Sequence, residues 1–306
     1  MNLVAINGHC AKQFLTNSIG YTVLAPRAYP HLTNKKDAYE TFGTSFSAPV
    51  VSGSAALIRQ YFEEGWFPCG QKGCGEPILP SGSLMKAVLV NGAQSLLGIQ
   101  KVPGGFQPAV IDTVNDYDHN QGETRKTSYD HKLLAAIFLT TRTLSHILLV
   151  NVNSGFGLIN LAKSIPIKTS EELNFNGFAV NNRALENKEK ESIVLITKQC
   201  ESMDLSVTLS WFDPAGAANC AKCLVNNLDL SVKKGAKTFY PNGLAGPDAL
   251  NNVERIRLDA LGAGKEIEIV VDAQNLATPS EKYSLIVTGC FDIVPEKSSK
   301  GLVPCS

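Results

Sequence analysis

The sequence has no surplus charge of either sign. Its 28 lysines and arginines stand against 28 aspartates and glutamates. Binding to nucleic acid or to an anionic membrane draws on a basic surplus, so neither is expected as a partner. Residues 1–8 lack the basic start and long apolar core of a secretory leader. No clean apolar run is long enough to span a bilayer. The nearest approach, from Leu133 to Val152, is broken by Thr140, Thr141, Arg142, Thr143, Ser145 and His146. No D-x-D-x-D-G calcium loop is present. No histidine or second cysteine pair accompanies Cys69 and Cys74, as a zinc cage there would need.

What is present is ample apolar material. Of 306 residues, 44% are apolar and 18% charged, enough for two domains with cores of their own. Eight cysteines are an even count, as in a disulfide-bonded secreted or lumenal protein, with on the order of 100 pairings open. Cys69–Cys74 reads as a local disulfide in a Gly-rich loop. Cys220-Ala221-Lys222-Cys223, without a βαβ setting, reads as a loop disulfide rather than a redox or zinc motif.

The chain is organised around Gly43-Thr44-Ser45-Phe46-Ser47-Ala48-Pro49, which runs on through Val50-Val51-Ser52-Gly53-Ser54-Ala55-Ala56-Leu57. Short polar residues lead into small and apolar ones, which predicts a helix from Ser45 to Tyr61 or Phe62, with Thr44 or Ser45 as its cap. Pro49 falls early in that helix, where a missing N–H costs less. The scarcity of bulk predicts that the helix is buried against closely approaching backbone. Ser45, at the positive helix end, is the candidate nucleophile, and its backbone N–H a candidate oxyanion donor. A capped core helix without chemistry is the structural alternative.

This stretch resembles the serine motif of the subtilisin-like serine peptidases, G-T-S-x-[AS]-x-P-x-x-x-G, at every fixed position, Gly53 included. It is not the G-x-S-x-G elbow of α/β-hydrolases, because Ser47 stands where that motif has glycine. Ile19 to Pro26 is similar to the family's strand before the serine, with Arg27 in place of a glycine. Lys86 to Ala93, in a second helix over Leu84 to Ala93 capped by Ser81 or Ser83, is similar to its next helix. Phe156-Gly157-Leu158-Ile159-Asn160-Leu161 is similar to its closing G-[FWY]-G-x-[IV]-[ND] element. By resemblance, Asp116 to Gly122 should run directly into Phe156. Residues 123–155 intervene with neither helix nor strand period, and read as a translated intron or a lineage-specific loop.

After about Ile167 the period becomes two. Leu205, Val207, Leu209 and Trp211 alternate with Ser206, Thr208 and Ser210, and similar runs recur at Leu228, Ile267 and Tyr283. Such runs predict a half-buried antiparallel sheet, and their number a β-sandwich or jelly roll. The stretches around Trp211, Asn227 and Asn251 resemble the C-terminal jelly-roll domain of certain bacterial alkaline proteases and protist subtilases. The expected fold class is therefore α/β, a partial subtilisin-like parallel-sheet domain over 1–167, followed by an all-β jelly-roll or β-sandwich domain over 168–292 and a tail over 293–306. The resemblance also implies calcium in the β-domain, and Asp213, Asn227, Asp229, Asn251 and Asn252 are the candidate oxygen ligands. Turn formation by the same residues is the other reading.

The resemblance implies peptide-bond hydrolysis through a Ser45 acyl-enzyme, with protein or peptide substrates. The family's aspartate and histidine precede the serine. Before Ser45 stand His9 and Asp37, neither in the family's D-[ST]-G or H-G-[TS] setting, and Asn7-Gly8-His9 lies too close to Ser45. His119 and His131 follow the serine, the wrong side for this order. The chain is thus expected to be a truncated form of a serine endopeptidase, inactive alone. The alternative is a non-catalytic remnant whose β-domain binds a protein or glycan partner.

Overall fold

The computed structural model describes residues 23–26, 38–41, 44–94, 98–100, 106–108, 155–169, 172–173, 175–199, 204–258 and 261–302. His9, Asp37, His119, His131 and the insert up to residue 154 lie outside them. Three two-stranded antiparallel ladders, β1 (Val23–Pro26) with β2 (Ala38–Thr41), β3 (Gly98–Gln100) with β4 (Phe106–Pro108), and β5 (Lys168–Thr169) with β6 (Glu172–Leu173), accompany helices α1 (Thr44–Glu63), α2 (Gly82–Asn91) and α3 (Leu161–Ser164). Every strand pairing among the described residues is antiparallel, so the expected parallel sheet is not seen among them.

The β-rich half is two antiparallel sheets. One has the order β11 (Lys237–Phe239), β10 (Asn226–Lys234), β13 (Glu266–Leu276), β8 (Lys190–Thr197), β15 (Phe291–Ile293). The other has the order β12 (Val253–Leu258), β9 (Leu205–Trp211), β14 (Ser280–Gly289), β7 (Asn176–Glu186). Period-2 alternation turns Leu205, Val207, Leu209 and Trp211 inward to meet Leu228, Leu230 and Val232 of the facing sheet, with Ile267, Ile269, Tyr283, Leu285 and Val287 completing one core. The Trp211 indole N–H donates to the Asn226 carbonyl, so its polar end is satisfied inside that core. The chain past residue 293 is packed as well. Ser298 and Ser299 hydroxyls accept from the Val194 and Ser192 N–H groups, and Leu302 is buried in the main core.

The alternation in β9 and β14 predicts a solvent-facing side, and here the structure differs. Every residue of β9 is buried. Helix α2 lies across the outer face, and the hydroxyls there meet partners on it. Ser81, its N-cap, accepts from Leu84 N–H, and Ser81 and Ser83 both bond Ser284. At the other end the Asn91 side chain donates to Thr288 Oγ1 at 2.7 Å and accepts from Thr208 Oγ1 at 2.9 Å, while Ser206 donates to the Asn91 carbonyl. Ile286, between Ser284 and Thr288, enters a second core made by Ile58, Tyr61 and Phe62 of α1, Leu84, Ala87 and Val88 of α2, Phe67 and Ile165.

The elements recognised in the sequence dock at the same place. Gln94 and Leu158 form a β-bridge, and Asn160 Nδ2 donates to Gln94 Oε1. A Cβ on Gly92 would stand 2.2 Å from Ser164 Oγ and 2.6 Å from the Asn160 carbonyl, so only glycine lets α3 approach the end of α2 this closely. Arg255, on the outer face of β12, donates to the Val90 and Ala93 carbonyls at that end, and its guanidinium lies 5.1 Å from the Phe156 ring. Both expected local disulfides, Cys69–Cys74 and Cys220–Cys223, are formed.

Stripped of α2, the outer hydroxyls would rehydrate at little net cost. Ile286 would lose its burial, worth about 1.5–3 kcal/mol. The main core does not depend on α2, so residues 168–302 expressed alone should give β-type circular dichroism and a cooperative melt. Ile286→Ala should cost about 2–5 kcal/mol in the full chain and almost nothing in that fragment. Equal losses in both, measured by urea unfolding, would show that α2 is not what buries Ile286.

Candidate functional site

Helix α1 begins at Thr44, so Ser45 lies in its first turn as the motif requires. The start falls one residue earlier than expected, which puts Thr44 and Ser45, the expected caps, inside the helix. Pro49 is within the helix, four residues after Ser45, so the Ser45 carbonyl lacks the N–H that an i+4 residue would give it. Ser52 Oγ donates to the Ala48 carbonyl, whereas the buried Ser47 Oγ has no partner. The helix stops at Gly65, whose left-handed φ of 64° and contact with the Gly75 carbonyl exclude any side chain.

The expected burial of α1 applies to half of it. Ile58, Tyr61 and Phe62 reach the second core, and Tyr61 Oη donates to the Pro166 carbonyl. Ala48, Pro49, Val51, Ser52, Gly53, Ala56 and Leu57 are exposed, and nothing stands within 4 Å of a Cβ built on Gly53. Small side chains permit close approach but do not compel it; among the described residues, the bulky Ile58, Tyr61 and Phe62 of the last turns anchor the helix. All five histidines of the chain, at positions 9, 31, 119, 131 and 146, lie outside the described residues.

The structure separates the five candidate calcium ligands. The Asp213 carboxylate accepts from Val225 and Asn226 N–H at 2.8 and 2.7 Å, which makes it a loop anchor. Asn252 Oδ1 accepts from Lys86 Nζ at 2.9 Å, a cation's place already taken. Asn251 Nδ2 donates to Asp248, whose carboxylate also receives Asn242 Nδ2 and the Leu250 and Asn251 N–H groups. Asn227 and Asp229 remain together, joined by a 3.0 Å bond from Asn227 Nδ2 to Asp229 Oδ1.

The residue that sequence reading missed beside them is Glu254. It is fully buried, and its Oε2 accepts from Leu230 N–H at 2.6 Å. Burial, reinforced by the negative charges of Asp229 and Asp248 and opposed by the Leu230 N–H, pushes its carboxyl up to about 10. Burial, with Asp272 and Asp248 adding repulsion, likewise raises Asp229. The available signal was positional: in Val253-Glu254-Arg255-Ile256-Arg257-Leu258, Glu254 shares the inward face with Ile256 and Leu258. On the other face, burial and the neighbouring Arg257 push Arg255 down to about 9. Among the described residues no three His, Cys, Asp or Glu side chains form a ready metal cage, so any hard cation here would need amide oxygens as well.

No protein-family model matches the chain. It is similar to serine protease/ABC transporter B family proteins of Dictyostelium discoideum. With the one named tagA it is 26% identical over 257 residues, 80% of this chain and 12% of that protein. With tagB the identity is 25% over 293 residues, covering 84% of this chain and 14% of the relative. With tagD it is 23% over 284 residues, again 84% and 14%. The chain thus spans about an eighth of the length of these relatives. Among solved structures, a periplasmic inhibitor of g-type lysozyme from Aeromonas hydrophila aligns at 14% identity with a TM-score of 0.22, over 41% of this chain and 93% of that one. So low a score carries no argument. No helix among the described residues is long and apolar enough to cross a membrane.

The exposure of Gly53 makes a testable statement about α1. In an exposed helix interior, Gly→Ala gains about 0.5–1 kcal/mol. Gly53→Ala should therefore raise the melting temperature of the 306-residue chain. A fall in melting temperature would show that other parts of the chain close over this face.

Proposed function

We propose that this chain carries the nucleophile of a subtilisin-like serine endopeptidase, a disulfide-bonded protein working outside the cytosol on protein or peptide substrates. The observation that carries the reading is the complete motif from Gly43 to Gly53, with Ser45 in the first turn of a 20-residue helix. Ser45 Oγ attacks the substrate carbonyl carbon, and its proton passes to a base and then to the leaving amine. Water later releases the acyl group from Ser45. The Ser45 N–H and the positive helix end favour the oxyanion that develops. Supporting this, the relatives reported above are named serine proteases. No histidine in the chain stands in the family's base setting, so the base and its orienting carboxylate are assigned to a longer form of the protein.

A fluorophosphonate probe tests the assignment. In the longer form, labelling should map to Ser45, disappear in Ser45→Ala and persist in Ser47→Ala, since the motif accepts alanine there. Modification of Ser47 or Ser52 with Ser45 spared would overturn the assignment. The 306-residue chain alone should leave casein intact, because a serine without its base is a weak nucleophile. Hydrolysis by that chain, lost on Ser45→Ala, would place a base within it.

A further inference from the structure

The connection from β9 to β10 leaves the sandwich at Asp213 and returns at Val225. Its two ends are clasped there. The Asp213 carboxylate accepts from Val225 and Asn226 N–H at 2.8 and 2.7 Å, and the Trp211 indole donates to the Asn226 carbonyl. The Cys220–Cys223 disulfide lies beyond that clasp. Its cysteines are three positions apart, so it closes a very short loop and constrains the unfolded chain little. Residues 214–223 are exposed, apart from the half-buried Cys220. The Cys220 N–H donates to the Ala217 carbonyl, inside the loop itself. Among the described residues, no hydrogen bond ties residues 214–223 to the sandwich.

The Cys69–Cys74 disulfide has a different setting. Gly70, Gly73 and Gly75 N–H groups donate to the Trp66, Glu64 and Gly65 carbonyls, Lys168 N–H donates to the Gly70 carbonyl, and Lys72 pairs with Glu64 at 3.2 Å. Those bonds hold its two sulfurs together whether or not they are joined, which favours the disulfide over the thiols. Cys220 and Cys223 lack that support, and exposed disulfides are the ones open to exchange. Their two sulfurs also differ. Cys223 is exposed, whereas Cys220 is half-buried and its Sγ lies 3.3 Å from a Cβ built on Gly216. Lys222, between them and exposed, is the one charged residue from position 214 to position 225. A cation so placed attracts thiolates and favours thiolate over thiol.

We propose that Cys220–Cys223 is a thiol–disulfide exchange site for thiols outside the protein, a small monothiol or a dithiol. A thiolate attacks the exposed Cys223 Sγ. The Cys220–Cys223 bond breaks, and Cys220 leaves as a thiolate that takes a proton from water. The product is a mixed disulfide on Cys223. A second thiolate, from the same dithiol or another monothiol, attacks the outside sulfur of that mixed disulfide and releases Cys223. Two thiols are thereby oxidised to a disulfide, and their two electrons reduce the cysteine pair. The Lys222 ammonium draws in the attacking thiolate and stabilises the departing one. The Asp213 clasp keeps the ends of β9 and β10 in place throughout, so the exchange runs in the folded protein. None of this depends on Ser45.

The test is graded reduction of the folded 306-residue chain by dithiothreitol, a dithiol, and by glutathione, a monothiol. Free thiols are trapped by alkylation and located by peptide mass spectrometry. Cys220 and Cys223 should be alkylated at about tenfold less dithiothreitol than Cys69 and Cys74, with the melting temperature nearly unchanged. Glutathione should be found on Cys223 rather than Cys220. Lys222→Glu should slow the reduction several-fold at low salt and less at high salt, a dependence that a purely structural disulfide lacks. Reduction of Cys220–Cys223 only after unfolding, or in step with Cys69–Cys74, would overturn the proposal. Glutathione carried on Cys220 instead, or a Lys222→Glu chain reduced at the wild-type rate, would overturn the assigned order of attack and the role of Lys222.

Discussion

The second core depends on a sheet face that is polar and yet dry. Ser206, Thr208, Ser284 and Thr288 are buried, and each hydroxyl requires a partner in place of water. Helix α2 supplies those partners at its two ends, Ser81 and Ser83 at one and Asn91 at the other, while Ile286 fills the apolar middle. Hydrogen bonds are directional where apolar contacts are not, so the helix cannot slide along the sheet without losing both ends at once. The second core, the end of α1 and the Phe156 to Asn160 element all hang on that placement.

A consequence is that the end of the helix bearing Ser45 packs, through α2, against the β-sandwich. Helix α1 is held through Ile58, Tyr61 and Phe62 against α2, and α2 is held to β9 and β14. The orientation of the Ser45 turn is therefore inherited from the sandwich through one helix. A β-domain that binds nothing would still set the orientation of that turn.

Much of this was legible in the sequence, and the exceptions share a cause. The inward faces of β9, β10, β13 and β14 follow from alternation alone, because an apolar side chain needs only burial. The Ser81 cap follows from local chemistry. Alternating Ser and Thr looks the same whether water or a helix lies above it, so the covered face of β9 was hidden. Likewise Asp213 serves as a loop anchor and Asn252 as a lysine acceptor because of donors from distant segments. Small residues in α1 permitted burial without compelling it, and Ala48, Pro49, Val51, Ser52 and Gly53 are exposed.

The neighbours Glu254 and Arg255 give β12 a register coded by an acceptor and a donor. Glu254 meets the N–H of Leu230 inside the sandwich edge, and Arg255 meets the carbonyls that end α2. A slip of one residue along β9 would exchange them, setting a guanidinium against a backbone donor and a carboxylate against a helix's negative end. Apolar alternation alone would tolerate a slip of two residues in Val253–Leu258 far better. This edge strand is thus held in register by a carboxyl group and a guanidinium that each fit only one side.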